Sequence, residues 1–212
     1  MSTTTMGTPP PTSSGERGTV VMDLGGRIRI PRGGAITIAV MRIALGLVYL
    51  WAFISQGFGI GYTNKATPPP DAPAGAKVTY EWTFNVDADN GWITSGFDHS
   101  PTEAFVDNNL HGPLAFIPQN LPTGLVDFMW IFALAGLGIA LTFGVFANIA
   151  GWGGFVMNIF IWLATFPPST NPLIDGEHVT FALAILLFMW LQASNYWGVG
   201  RWWRSHTPTI LN

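Results

Sequence analysis

Arg42 is the first residue of this sequence whose position demands an explanation. It stands in the stretch AVMRIALGLVYLW, residues 39–51, which is otherwise apolar enough for the interior of a membrane. A guanidinium stays protonated in proteins and offers several N–H donors, so its chemistry would be charge-assisted hydrogen bonding to an anion or a carbonyl. Two interpretations are open: the side chain reaches back to the lipid headgroups, or it faces a bundle interior and binds polar groups there.

Helical spacing gives Arg42 polar neighbours. Arg42, Tyr49 and Gln56 recur at intervals of seven residues and therefore share one face of a helix, with Gln56 toward the far end. In later apolar segments, Asn158 and Gln192 fall at a depth similar to that of Arg42. No carboxylate lies at that depth, so Arg42 has no predicted ion pair. The candidate ligand-binding residues are Arg42, Tyr49, Gln56, Asn158 and Gln192.

A second polar group occurs near the other end of the predicted helices. It consists of Gln56, Asp127, Asp175, Glu177 and His178. Its carboxylates stand near helix N-termini, where the helix dipole favours them without any function. His178 is less easily explained, because a histidine beside carboxylates titrates near neutral pH and can pass protons. The functional alternative is a proton-exchange or quinone-head site in which His178 and Asp127 are the catalytic residues and Gln56 assists.

Small residues at four-residue spacing predict close helix packing in two segments. They are Gly136, Ala140 and Gly144 in one segment, and Ala150, Gly154 and Asn158 in the other. Asp127 lies about 180° around its helix from the Gly136 line, at about 100° per residue. The two faces therefore cannot meet the same neighbouring helix.

Composition places the chain among membrane proteins. Its 212 residues are 49% hydrophobic and only 10% charged, they include 10 Trp, and the mean hydropathy is +0.34. The absence of cysteine excludes thiol redox chemistry, thiolate-bound iron–sulfur clusters and cysteine-based zinc sites. The nine Lys and Arg form no basic patch, so nucleic-acid binding has no support. One intramembrane histidine cannot supply bis-histidine haem ligation, and no nucleotide-binding or metal-ligand motif occurs.

Four apolar segments are long enough to cross a lipid bilayer, which takes roughly 20 helical residues. They cover residues 35–60, 121–146, 149–166 and 179–197. We therefore predict an all-α membrane protein, a four-transmembrane-helix bundle, over residues 33–200. A Ser/Thr/Pro/Gly-rich tail of residues 1–32 precedes the bundle and is predicted to be disordered, and residues 201–212 form a second tail.

Positive charges predict the orientation of the chain in the cell membrane. Four arginines precede the first segment, and Arg201 and Arg204 follow the fourth. The loop of residues 61–120 holds two lysines against seven acidic residues. Both termini are therefore predicted to be cytoplasmic and the loop to be external.

The external loop contains predicted elements of its own. The stretch KVTYEWTFNV alternates apolar and polar residues, which is typical of a β-strand, and the turn signal DADNG after it indicates a β-hairpin. Ser100, Pro101 and Glu103 then form a capping box with its preferred proline, which predicts a short interfacial helix over residues 101–109. Leu110 and the apolar residues beyond it predict a segment lying on the outer membrane surface.

Four short motifs, taken in order, resemble those of the DoxX/DoxD-like membrane proteins and span about Arg42 to Arg204. They are RIALGLVYLWAF, SPTEAFVDNNLHGPLAF, NPLID and GVGRWW. This family consists of four-helix bacterial and archaeal proteins, among them the small membrane subunit of thiosulfate:quinone oxidoreductase. The family's early arginine falls on Arg42, and its acidic and histidine residues before the fourth span fall on Asp175 and His178. Gln56 stands where the family often has a lysine.

The resemblance implies an integral membrane subunit of a quinone-linked redox complex, which would handle quinone or anchor a cofactor-bearing partner protein. No cofactor of the chain's own is expected. On this hypothesis His178 and Asp127 exchange protons, and Arg42 holds the inner polar cluster or a ligand carbonyl. Two alternatives from other classes stay open. One is a non-catalytic assembly or scaffold protein, and the other is a small-solute transporter, although no broken helix or inverted repeat is visible.

Overall fold

The computed structural model describes residues 19–21, 29–67, 79–168 and 177–207. Most of the predicted tail, residues 1–32, lies outside these ranges. Two short strands precede the first helix in the described part of this tail. They are β1 (Thr19–Val21) and β2 (Arg29–Pro31), and they pair antiparallel.

The remaining elements follow in chain order. They are α1 (Arg32–Phe58), β3 (Ile60–Thr67), β4 (Thr79–Val86), α2 (Glu103–Asn109), α3 (Phe116–Gln119), α4 (Thr123–Phe143), α5 (Ala147–Ala164), α6 (His178–Trp190) and α7 (Gly200–His206). Two short 3-10 turns cover Ala88–Asn90 and Ala193–Asn195.

Within the part of the chain that the structure describes, three helices, α1, α4 and α5, are long and apolar enough to cross a membrane. They lie within the first three predicted segments to within a few residues. The fourth differs from its prediction of 179–197, because α6 has 13 residues and ends at Trp190. Gln192 adopts a left-handed conformation with φ of 50°, and this conformation stops the regular helix. At about 1.5 Å per residue, α6 is about 20 Å long, which is shorter than the roughly 30 Å hydrocarbon core of a bilayer.

Two of the three long helices, α1 and α4, end at a glycine. Gly59 follows α1 with φ of 66°, and Gly144 follows α4 with φ of 76°. Only glycine adopts this left-handed conformation without steric cost, which makes it the common residue after a helix C-terminus. The Gly144 N–H also donates to the carbonyl of Ala140 at 2.8 Å. The chain turns sharply at both points.

The helices pack mainly in two pairs, α1 against α4 and α5 against α6. The first pair meets at two glycines, because a Cβ on Gly46 would meet the backbone of Thr142 and a Cβ on Gly138 would lie 2.8 Å from the backbone nitrogen of Leu50. Gly136, in contrast, faces open space. The predicted packing line of α4 is therefore wrong at Gly136, and Gly138 takes that role instead.

The small-residue line of α5 is confirmed as a packing surface. A Cβ on Gly154 would lie 2.9 Å from the side chains of both Ile185 in α6 and Leu137 in α4. Asn158, one turn later, is buried. This line therefore lets α5 approach two neighbouring helices at once, and the main hydrophobic core forms where they meet.

The predicted strand of residues 77–86 is confirmed as β4, but its partner is not the segment that follows it. β4 pairs antiparallel with β3, which comes earlier in the chain. The DADNG stretch forms a 3-10 turn, with the Asp87 side chain accepting from the Asp89 N–H at 3.3 Å. The Asp87 N–H donates to the carbonyl of Gly59 at 2.9 Å, so β4 ends back at the end of α1.

The predicted short helix is α2. Ser100 Oγ accepts from the Glu103 N–H at 3.0 Å, as the capping box predicts, and the regular helix begins at Glu103. The chain then closes on the end of α5, where the His111 and Gly112 N–H groups donate to the carbonyl of Ala164 at 3.1 and 2.8 Å. Leu110 is buried against Ala164 in this contact. The loop is thus attached to the helices by its own backbone.

Candidate functional site

Arg42 lies buried where α1 meets the end of α4, with 2% of its surface exposed. Its Nη1 donates to the carbonyl of Leu141, with the carbonyl of Thr142 at 3.5 Å. Its Nη2 donates to the carbonyl of Trp197, in the chain beyond α6. The side chain therefore faces the interior and binds backbone groups of the protein.

The position of these carbonyls explains why a cation is stable there. The last carbonyls of a helix lack intrahelical partners and carry the negative end of the helix dipole. Arg42 occupies this end of α4 together with the backbone N–H of Val199, which donates to the carbonyl of Phe143 at 3.0 Å. The guanidinium thus completes the C-terminal cap of α4. No carboxylate is predicted at the depth of Arg42, and the negative end of the α4 dipole stabilises its charge instead.

A cavity of about 20 Å³ adjoins Arg42. Its lining includes Gly144, Ala147, Ile185, Met189 and Ser194. Arg42 Nε and Thr142 Oγ1 are buried and have no hydrogen-bond partner among the described residues. A cavity of this size holds about one water molecule, for which roughly 10–15 Å³ is enough. It is far smaller than the roughly 300–1,000 Å³ of typical small-molecule sites.

Gln192 bonds to a second arginine, which the sequence interpretation missed. Gln192 Oε1 accepts from Arg204 Nη1 at 3.2 Å, and Arg204 Nη2 donates to Ser194 Oγ at 3.0 Å. Burial lowers the pKa of the Arg204 guanidinium below its usual value. Because Ser194 also lines the cavity beside Arg42, the two arginines flank the same turn. The sequence pattern predicts only a cytoplasmic charge at Arg204.

Tyr49 and Asn158 are brought together, as a shared site would require. Asn158 Nδ2 donates to Tyr49 Oη at 2.8 Å, and the Tyr49 hydroxyl lies 3.2 Å from Asn158 Oδ1. The same amide donates to the carbonyl of Gly154 at 2.8 Å. Both side chains are buried, so this pair is a polar link between α1 and α5 inside the apolar core.

Gln56 and Asp127 each have partners other than those predicted. Gln56 Oε1 accepts from Trp130 Nε1 at 2.5 Å. Asp127 is buried, and its Oδ1 accepts from Ser100 Oγ at 2.8 Å, from Thr102 Oγ1 at 2.6 Å and from the Thr102 N–H at 3.3 Å. Asp127 therefore anchors the start of α2 to α4.

His178 is half-buried at the first residue of α6. Within the described residues, every hydrogen bond of Asp127 goes to Ser100 or Thr102, so no direct bond joins the two predicted catalytic residues. Asp175 lies outside the described residues, and Glu177 is exposed. The same described ranges contain no group of three histidine or carboxylate side chains that could hold a metal ion.

A second cavity, of about 120 Å³, adjoins Thr102 between α2, α3 and the start of α4. Its lining is largely polar and includes Glu103, Asp107, Gln119 and Thr123. Both carboxylates are exposed at the surface of α2. The cavity therefore belongs to the loop and does not connect Asp127 to Arg42.

No protein-family model, curated protein or solved structure matches this chain. The resemblance to the DoxX/DoxD-like proteins therefore stays a prediction.

Proposed function

We propose that the chain is a DoxX/DoxD-like integral membrane subunit that anchors a cofactor-bearing redox partner, with the quinone chemistry located on that partner. The redox context is supported by the resemblance of the sequence motifs. The choice of anchoring over quinone handling is carried by one observation. The predicted ligand-binding side chains Arg42, Tyr49 and Asn158 are bonded within the chain: Arg42 to backbone carbonyls, and Tyr49 to Asn158.

The bonding pattern argues against a ligand at the inner polar residues. A carbonyl-bearing ligand would compete with Leu141 and Trp197 for the same guanidinium. The adjoining cavity of about 20 Å³ leaves no room for a quinone ring, since even benzene occupies an apolar cavity of about 150 Å³. Asp127 is likewise occupied by Ser100 and Thr102. These side chains act as structural links that hold the helices in position.

We propose that four segments cross the membrane, the fourth being α6 together with the turn that follows it to Trp197. Both termini are then cytoplasmic and the loop of residues 61–120 is external. Because the sequence has no cysteine, single substitutions report topology without background. A membrane-impermeant maleimide added to intact cells is expected to label Asp98→Cys and not Ser205→Cys. The reverse labelling pattern contradicts the orientation.

The anchoring role is tested by removing the chain from its native cells and fractionating their membranes. A flavin-, haem- or metal-bearing protein is expected to move from the membrane fraction to the soluble fraction. This partner protein is identified beforehand. It is purified together with the chain in mild detergent, and its absorption spectrum and mass spectrometry then identify it. Re-expression of the wild-type chain is expected to return it to the membrane.

His178→Ala provides the control for chemistry. Under the anchoring proposal, this variant keeps both the partner on the membrane and the quinone-reducing activity of those membranes. A variant that retains the partner but loses quinone reduction would show that the chain handles quinone itself. An unchanged distribution of every cofactor-bearing protein on removal of the chain would reject a redox anchor altogether.

A further inference from the structure

The β3–β4 hairpin has one apolar and one polar face. Cross-strand partners share a face, and the register pairs Ile60 with Val86 and Tyr62 with Phe84. Of these four, Tyr62, Phe84 and Val86 are each more than half exposed. The residues between them, such as Asn85, belong to the opposite face and are glycine or polar. Contiguous exposed apolar side chains of this kind are typical of a surface that contacts another protein or a membrane.

Aromatic stacking joins this apolar face to α1. The rings of Trp51 and Tyr62 are stacked with centroids 5.6 Å apart, and Tyr62 meets Phe84 edge-on at 5.1 Å. Trp51 lies seven residues before the end of α1 at Phe58, which is about 10 Å along the axis at about 1.5 Å per residue. The base of the hairpin therefore folds back alongside the helix.

The surface that Trp51 belongs to is the outward-facing side of an apolar helix. Leu47 and Val48, one turn earlier, are both about half exposed. α1 is long and apolar enough to cross a membrane, so lipid is the natural surrounding of these side chains. The apolar surface thus runs without interruption from α1 through Trp51 to Tyr62 and Phe84.

We infer that the apolar face of the β3–β4 hairpin lies in the lipid interface beside the end of α1, as an aromatic membrane anchor. Tryptophan and tyrosine favour this depth, where the ring is apolar and the polar atom meets headgroups. A two-stranded hairpin also has two unpaired edges, which the hydrocarbon core would not tolerate. It therefore lies along the interface, with the polar Asn85 side toward water. A two-stranded hairpin is marginal in water alone, and lipid contact supplies its missing apolar surface.

This inference is tested with single spin labels on the full-length protein in nanodiscs of zwitterionic and anionic phospholipid. Phe84→Cys and Val86→Cys place labels on the apolar face, and Asn85→Cys places one on the opposite face as the matched control. Labels at 84 and 86 are expected to collide several-fold more with oxygen, which dissolves in lipid, than with a water-soluble nickel chelate. The label at 85 is expected to show the opposite preference.

Two results overturn the inference. Equal, high accessibility to the nickel chelate at all three positions would show that the hairpin stands in water. Protection of 84 and 86 from both reagents would show that protein covers the face, either a second copy or another subunit. A difference in reagent preference between the labels at 84 and 85 also shows that the labelled hairpin is folded, because an unfolded strand gives both positions the same accessibility.

Discussion

The guanidinium of Arg42 in α1 donates to the backbone carbonyl of Leu141 in the last turn of α4. A second bond from the same side chain reaches Trp197 beyond α6. One permanently charged side chain thus connects three parts of the chain that are far apart in sequence. Its charge is placed at the negative end of a helix dipole, which explains its burial without a carboxylate.

Replacing Arg42 is expected to destabilise the helix bundle. Arg42→Met keeps an apolar stem but leaves the carbonyls of Leu141 and Trp197 unpaired, and hydrogen bonds to charged groups are worth about 1.5–3 kcal/mol each. Arg42→Lys is expected to be intermediate, because an ammonium cannot reproduce the planar fork of the guanidinium. Thermal unfolding in detergent, followed by circular dichroism, measures both. Arg201→Met, at an exposed position of α7, is the control and is expected to unfold like the wild type. Wild-type stability of Arg42→Met would contradict the capping role.

The α1–α4 contact predicts opposite outcomes for two nearby glycines. Gly138→Ala places a methyl group of α4 against the backbone of Leu50 in α1, and neither helix backbone can move easily there. Overpacking of this kind costs about 1–3 kcal/mol. Gly136→Ala enters open space and is expected to be neutral or mildly stabilising, since alanine favours a helix by up to about 1 kcal/mol. The midpoint of unfolding in a denaturing detergent distinguishes them. Equal effects would mean that α4 presents a different face to α1.

Asp127 is expected to hold the loop to the bundle. In Asp127→Ala the hydroxyls of Ser100 and Thr102 lose a charged acceptor, which frees the start of α2. At about 1.5–3 kcal/mol per bond to a charged group, amide exchange in α2 is expected to accelerate roughly tenfold to a hundredfold. Hydrogen exchange with mass spectrometry measures this change, and Asp98→Ala at an exposed loop position is the control. An unchanged exchange rate in α2 would show that other contacts hold the loop.

The Tyr49–Asn158 pair is expected to show energetic coupling. Tyr49→Phe and Asn158→Leu each remove one side of the same hydrogen-bonded link. Intramembrane pairs of this type couple by about 0.6 kcal/mol on average and by at most about 1.7 kcal/mol. A double-mutant cycle of unfolding free energies gives the value. Strict additivity of the two substitutions would show that the pair contributes packing alone.

Local physics made part of this structure predictable from the sequence. The length of the apolar segments located α1, α4 and α5. A helix that crosses lipid must be apolar, with its backbone hydrogen bonds made internally, over the thickness of the hydrocarbon core. Ser100 with Glu103 located the start of α2 to within two residues, since a cap depends on residues three positions apart. The alternation of residues 77–86 located β4, because neighbouring side chains of a strand point to opposite faces.

The partners of the polar side chains could not be predicted from residue types. Arg42 binds carbonyls 99 and 155 residues away in sequence, and every residue carries a carbonyl, so nothing in the sequence marks Leu141 or Trp197. The pairing of Asp127 with Thr102 depends on how the loop folds back on α4. From the sequence, side chains could only be placed at similar depths along their helices. His178 therefore remained a candidate partner of Asp127.

The sequence by itself determined which segments are apolar and helical, and that one arginine stands within the first of them. Only the tertiary structure decided that this arginine is buried and that it binds backbone carbonyls. It also decided the rotation of each helix about its axis and the strand that pairs with β4. Those choices are set by close packing, as at Gly138 rather than Gly136, and by the path of the chain after each turn. Packing depends on all neighbours at once, whereas a sequence pattern reports only on residues within a few turns. Arg42, which the sequence offers as a candidate ligand-binding residue, binds the C-terminal end of α4 in the tertiary structure.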